Sequence, residues 1–135
     1  MTHPSPALGC FLYHSQLSAA ADITCIADIV KTARNANQTL GITGLLVFDG
    51  LRFCQYIEGP AQPLEALIEC ISRDPRHTAF TPQHHAPLEA DRLFADWSMA
   101  YVVVDEEEPL QHLVPLRGMQ AVQQLTQLVP SLDAV

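Results

Sequence analysis

Hydrophobic and polar positions along the chain change period several times, and each change marks an element. Residues 8–15 are a short apolar and aromatic run broken by polar residues, which predicts a strand. Over 20–38, Ile23, Ile26, Val30 and Ala33 recur at helical spacing and mark a buried stripe. Ser18 is a candidate N-cap for that helix, and Gly41 a stop. Residues 42–48 predict a second strand, Asp49-Gly50 a hairpin turn, and 51–58 the antiparallel partner. Pro60 opens a second helix over 61–72, with Leu64, Leu67, Ile68 and Ile71 on one face, ended by Asp74-Pro75. Residues 79–87 make a poor strand with Pro82 inside it, so they belong at a sheet edge. Residues 97–104 are a clear final strand.

The order β-α-β-β-α-β-β gives an α+β, ferredoxin-like fold: one antiparallel sheet with two helices on one face. Residues 1–104 then form one domain and 105–135 a helical extension. The extension starts acidic, at Asp105-Glu106-Glu107-Glu108-Pro109, which suits a helix N-terminus. Leu110, Leu113 and Val114 follow, and after Pro115 and Gly118 a further stripe of Met119, Val122, Leu125 and Leu128. The second sheet face otherwise lacks cover, so these helices are expected there or in a homodimer contact.

Composition narrows the function classes. The chain has 135 residues, 48% hydrophobic and 16% charged, enough for one domain with a real core. A net charge of −8 argues against direct nucleic-acid binding and against an anionic membrane surface. The N-terminus is unlike a signal peptide, and no apolar run approaches the roughly 20 residues of a spanning helix, so a cytoplasmic protein is expected. The four cysteines, Cys10, Cys25, Cys54 and Cys70, lie far apart in apolar segments and read as buried free thiols. A metal reading would need His77, His84 and His85, but adjacent strand residues point to opposite faces and chelate poorly.

Three polar residues fall on inward faces. Phe53, Gln55 and Ile57 share one face of the third strand, and Phe11, Tyr13 and Ser15 one face of the first. Asn37 continues the stripe of the first helix, seven residues after Val30 and four after Ala33. Singly, each has a plain reading: a satisfied tyrosine, a C-cap asparagine, an exposed glutamine. Together, facing the cleft between sheet and helices, they suit a planar ligand rich in donors and acceptors.

The stretches Asn37-Gln38-Thr39-Leu40-Gly41-Ile42-Thr43-Gly44-Leu45-Leu46, Phe53-Cys54-Gln55-Tyr56-Ile57-Glu58-Gly59, Asp74-Pro75-Arg76-His77 and Trp97-Ser98-Met99 resemble the BLUF family of blue-light sensors using FAD. The resemblance spans roughly residues 8–104 and implies a flavin between the two helices: FAD, with FMN or riboflavin as alternatives. By position, Tyr13 resembles the family's photoactive tyrosine and Gln55 the switching glutamine between it and the flavin. Asn37 resembles the asparagine on the isoalloxazine edge, and Arg76 and His77 the basic pair near the pyrimidine side. Ile29, Phe53 and Ile71 fall where apolar side chains pack on the ring. Trp97 and Met99 match the last-strand pair that exchanges places near the glutamine. Ala36 departs from the pattern, since that position is often polar; its loss removes one hydrogen bond to the ring.

The resemblance implies light-driven electron and proton transfer from Tyr13, then a rearranged hydrogen-bond network in which the Gln55 amide has rotated or tautomerised. Its output passes through the last strand and tail helices. A tail of about 30 residues is too short for a cyclase or phosphodiesterase domain, so a stand-alone sensor is expected. It would be no enzyme, would be a homo-oligomer, dimer or larger, and would signal to a separate protein partner. Two rivals are a small flavin-dependent oxidoreductase, for which no nicotinamide-binding glycine fingerprint is present, and a flavin-free interaction module.

Overall fold

The structure, a computed structural model, describes residues 7–19, 21, 24–88, 91–95, 99–104 and 106–128. Strand β1 (Leu8–Leu17) leads to helix α1 (Cys25–Leu40), the hairpin β2 (Thr43–Phe48) and β3 (Arg52–Pro60), and helix α2 (Ala61–Ser72). Strands β4 (His77–Pro87) and β5 (Ala100–Val103) and helices α3 (Glu108–Leu113) and α4 (Gly118–Leu128) follow. The sheet order is β4-β1-β3-β2-β5; β1, β2, β3 and β4 pair antiparallel, and β5 adds a parallel strand beside β2. This is the expected α+β, ferredoxin-like arrangement of five strands, corrected in one respect: the last strand, expected in an antiparallel sheet, runs parallel to β2.

Alternation along the strands splits the core in two. Phe11, Tyr13, Leu46, Phe53 and Ile57 face α1 and α2, packing with Ile26, Val30 and Leu64. Cys10, Leu12, Leu45, Val47, Cys54 and Tyr56 face the other way, under Leu110 and Leu113 of α3 and Ala121, Val122 and Leu125 of α4. The tail helices therefore cover the second sheet face. Buried Gln83 of β4 fastens them there, donating from Nε2 to the carbonyls of Leu113 (3.0 Å) and Leu116 (3.1 Å).

Two glycines fix the join between α1 and the hairpin. Gly41 caps α1 at φ 71° in the left-handed region, its N–H on the Asn37 carbonyl. A Cβ on Gly44 would strike the Tyr56 carbonyl oxygen, so only glycine lets β2 lie this close to β3. At the hairpin tip, Asp49 Oδ1 accepts the N–H groups of Leu51 (3.0 Å) and Arg52 (2.6 Å), with Gly50 at φ 96°.

Several expectations need correction. Helix α1 starts at Cys25 with Thr24 at the N-cap position, later than the expected start behind Ser18; the Ser18 N–H bonds the Arg76 carbonyl at 2.9 Å, which ties the end of β1 to the turn before β4. Ile23 lies outside the described residues. Strand β1 runs two residues further than read, and β3 continues to Pro60. Strand β4 begins at His77, and its register with β1 shifts on both sides of Tyr13 and His14, where Pro82 and Ala79 (φ 55°) interrupt regular pairing. The described part of β5 is Ala100–Val103; Trp97 lies outside the described residues. Met119 is exposed, because the buried stripe of α4 centres on Ala121, Val122 and Leu125. All four cysteines are free, but only Cys10 and Cys54 are buried: Cys25 is half-buried, and Cys70 of α2 is exposed.

Candidate functional site

Between α1 and α2, above the sheet, lies a cleft of about 820 Å³ open to solvent on one side. Helix α1 makes one wall with Ile29, Thr32, Ala33, Ala36 and Asn37; α2 makes the other with Leu67, Cys70 and Ile71. The sheet supplies the floor through Tyr13, Leu46, Phe53 and Gln55, and the turn after α2 closes one end with Asp74, Arg76 and His77. The cleft exists because α1 presents small side chains there. Thr32, Ala33 and Ala36 recur at helical spacing after Ile29, and two methyl-sized positions keep α1 from filling the gap to α2.

Eight of the ten residues singled out from sequence therefore share one cavity: Tyr13, Ile29, Asn37, Phe53, Gln55, Ile71, Arg76 and His77. A ninth, Met99, is buried behind the floor and touches Gln55, while Trp97 lies outside the described residues. Sequence reading missed Thr32, Ala33, Leu46, Leu67, Cys70 and Asp74. The small-residue run on α1 was the available signal for the first two. Leu46 and Leu67 look like ordinary core until the helices are seen to diverge over them.

Tyr13 and Gln55 are directly opposite each other on β1 and β3, so their side chains leave the same face side by side. The Tyr13 hydroxyl donates to Gln55 Oε1 at 2.6 Å, a short bond between two buried groups. Burial pushes the Tyr13 phenol far above its ordinary range, with smaller contributions from Cys54 and Asp74, so it is a neutral donor. Phe80 at 4.9 Å and Phe11 at 5.8 Å between ring centroids hold the phenol in place. The other end of the amide, Nε2, lies 3.7 Å from the Met99 sulfur, a weak acceptor. Gln55 thus has a strong partner on its oxygen, a weak one on its nitrogen, and an open cleft beside both.

Asn37 is wholly buried on the cleft wall. The C-cap role falls to Gly41, so Asn37 contributes its backbone carbonyl to the helix end while its amide stays on the cleft side. At the closed end, Asp74 grips Arg76: Oδ1 accepts the backbone N–H and Nε at 2.9 Å each, and Oδ2 accepts Nη2 at 2.6 Å. The Arg76 hydrogen bond holds the Asp74 carboxyl below its usual range, against the opposing effect of burial. His77 is fixed through both ring nitrogens, Nε2 on the Ile71 carbonyl and Nδ1 on Ser15 Oγ at 2.8 Å. A carbonyl can only accept, so a neutral ring carries its proton on Nε2, and Ser15 donates to Nδ1. The His77 ring is therefore a wall rather than a free base.

An apolar slot with amide, phenol and guanidinium groups around it suits a flat aromatic ligand with a polar edge. Residues 8–100 match the family model "BLUF: Sensors of blue-light using FAD". The chain belongs to the BLUF family. Among its relatives, the "Photoactivated adenylate cyclase subunit beta" of Euglena longa is 31% identical over 123 residues, 91% of this chain but 13% of that protein. The chain thus spans about an eighth of that relative's length. The BLUF protein BlrB in its dark state superposes with a TM-score of 0.76 at 33% identity, covering 93% of this chain and 97% of that one. Klebsiella pneumoniae BlrP1, solved with FMN and cyclic diGMP, gives a TM-score of 0.65 at 34% identity over 73% of this chain and 26% of that one. BLUF domains are sensor modules that bind a flavin, and the donor set of this cleft fits one. Among the described residues no helix is long and apolar enough to cross a membrane.

Proposed function

We propose that this chain is a blue-light photoreceptor holding FAD, or FMN or riboflavin in its place, in the cleft between α1 and α2. The observation that carries the reading is the buried Tyr13–Gln55 hydrogen bond at the floor of that cleft, with Met99 on the far side of the amide. Ile29, Phe53 and Ile71 would pack on the ring, Asn37 and Gln55 would meet its polar edge, and Arg76 and His77 would close the end beyond them. Bound there, the flavin would supply blue-light absorption and, once excited, a strong oxidant. Tyr13 is placed to give up an electron and its hydroxyl proton and to recover both. Its neutral phenol is held ready for this by burial.

Gln55 is the part that changes. Its carbonyl and NH₂ ends have similar shape and opposite hydrogen-bond polarity, so reorganisation exchanges donor for acceptor without displacing neighbours. In the present arrangement Oε1 accepts from Tyr13. After the switch an amide donor faces Tyr13 or the ring instead, and the contact with Met99 is redrawn. Met99 stands one residue before β5, so this change reaches β5, and its sheet neighbour β2, directly. Trp97, the tail helices α3 and α4, a homo-oligomer contact and a separate protein partner are the downstream parts of the proposal. The family model of sensors favours this reading over an oxidoreductase or a flavin-free module.

The test is an absorption spectrum of the purified protein before and after blue light. A yellow protein with a red shift that reverses in the dark is expected. A colourless protein that takes up no added flavin, or a flavoprotein that oxidises NAD(P)H in steady state without such a shift, would refute the proposal.

A further inference from the structure

Met99 is buried one residue before β5, whose pairing with β2 begins at Ala100 opposite Leu45. Its sulfur lies 3.7 Å from Gln55 Nε2, and Gln55 Oε1 in turn accepts the Tyr13 hydroxyl at 2.6 Å. A thioether accepts weakly and a methionine side chain is flexible, so the contact with Gln55 does little by itself to fix where Met99 stands. A stronger hold comes from the backbone side. The Arg34 guanidinium reaches over from α1 and donates from Nε to the Met99 carbonyl at 2.9 Å, across 65 residues of sequence.

The place of Arg34 on its helix explains the reach. It follows Val30 by four residues and precedes Asn37 by three, so it lies along the stripe that α1 turns inward. Val30 packs in the same core cluster as Met99, and Arg34 is half-buried beside that row. A long side chain suits such a position, since its stem can cross apolar surface while its head finds a polar partner. A charged donor on a carbonyl makes a stronger bond than a neutral one. Helix α1 therefore carries Asn37 on the cleft wall and, one turn earlier, the group that ties down the residue touching Gln55.

We propose that Arg34 is a positioning residue of the light response: it pins the Met99 backbone to α1, keeps the sulfur where Gln55 Nε2 meets it, and so favours the return of the amide to the present arrangement. The inference rests on the photoreceptor reading above and deepens it. With the pin in place, the sulfur is already in position when the amide turns back, and no ordering of Met99 has to accompany the return. Without the pin, the arrangement with Nε2 on the sulfur loses part of its advantage, and the switched arrangement lasts longer.

Dark recovery of the red-shifted absorbance, followed in the flavin-loaded full chain, tests this. Arg34→Met keeps an unbranched stem and removes every donor. It is expected to bind flavin and shift like wild type, and to recover about tenfold more slowly, the factor that ~1.4 kcal/mol gives. Arg34→Lys keeps a charged donor without the planar fork and should recover at a rate between the two. Met99→Ala keeps the backbone carbonyl and removes the sulfur. In that background Arg34→Met should change recovery by less than about twofold, because Arg34 acts through Met99. A purely structural Arg34 would change the urea midpoint and leave recovery alone. Recovery of Arg34→Met within about twofold of wild type, or an undiminished slowing in the Met99→Ala background, overturns the inference. If Arg34→Met does not fold, Arg34→Ala decides on the same two criteria, since alanine is the residue best tolerated in a helix. A wild-type protein without any reversible shift overturns the photoreceptor reading itself, so the two failures are distinct.

Discussion

Replacing Tyr13 by phenylalanine removes one oxygen atom and takes away the 2.6 Å donor of the Gln55 carbonyl. Both side chains are at least nine-tenths buried, so the stranded Oε1 pays its desolvation cost. Such an orphaned acceptor costs about 1–3 kcal/mol; beside an open cleft the lower part of that range applies, about 1–2 kcal/mol. Gln55→Leu strands the Tyr13 hydroxyl instead and should cost a similar amount. The double variant leaves neither group unpaired, and Phe against Leu packs with the apolar neighbours Phe11, Phe80 and Phe53. Its cost should fall well below the sum of the singles, with a coupling of about 1–2 kcal/mol. The assay is urea unfolding of the four proteins without flavin, followed by far-ultraviolet circular dichroism, so that ligand binding adds nothing to stability. With a slope of about 2 kcal/mol per molar, each single variant lowers the midpoint by roughly 0.5–1 M. Single costs that add to within about 0.5 kcal/mol would refute the reasoning, because the two groups would then not be each other's partners.

Further outcomes follow from neighbouring features. Gly44→Ala should destabilise by at least about 2 kcal/mol in the same unfolding assay, since its Cβ meets the Tyr56 carbonyl oxygen between paired strands. Asp74 has a folded value held below its unfolded one, near 3.9, so its pairing with Arg76 contributes fully above about pH 5 and is lost as pH falls through the folded value. Wild type and Asp74→Asn should therefore differ in urea midpoint at pH 7, and the gap should narrow as pH falls below about 4. The gap should stay below about 1 kcal/mol, because both groups are partly exposed. Ala36→Asn should keep the flavin and move its dark absorption maximum, by adding a polar group to a cleft wall that now offers a methyl.

The order and type of the elements from β1 to α2 were legible because each has its own period and its own stop: the α1 stripe with Gly41, the Asp49-Gly50 turn, and Pro60 before α2. The same alternation put Tyr13 and Gln55 on the inner face, and strand pairing then set them opposite each other. The misreadings share a cause: a contact distant in sequence overrode a local signal. Ser18 looks like a helix cap, but its backbone is tied to Arg76 and α1 begins seven residues later, at Cys25. Strand β4 is irregular by sequence because of Pro82, and its early start at His77 depends on pairing with Leu17. The extent of the cleft depends on how far α1 and α2 diverge, which the stripe of each helix alone does not encode.

The central claim is that Gln55 works by exchanging its hydrogen bonds rather than by keeping them. The light-minus-dark absorption spectrum of Gln55→Leu beside wild type tests it most directly. Leucine matches the apolar floor and preserves the cleft, so flavin should bind in both proteins. Wild type is expected to show a reversible red shift and Gln55→Leu none. A Gln55→Leu protein that binds flavin and still shifts and recovers like wild type would contradict the account.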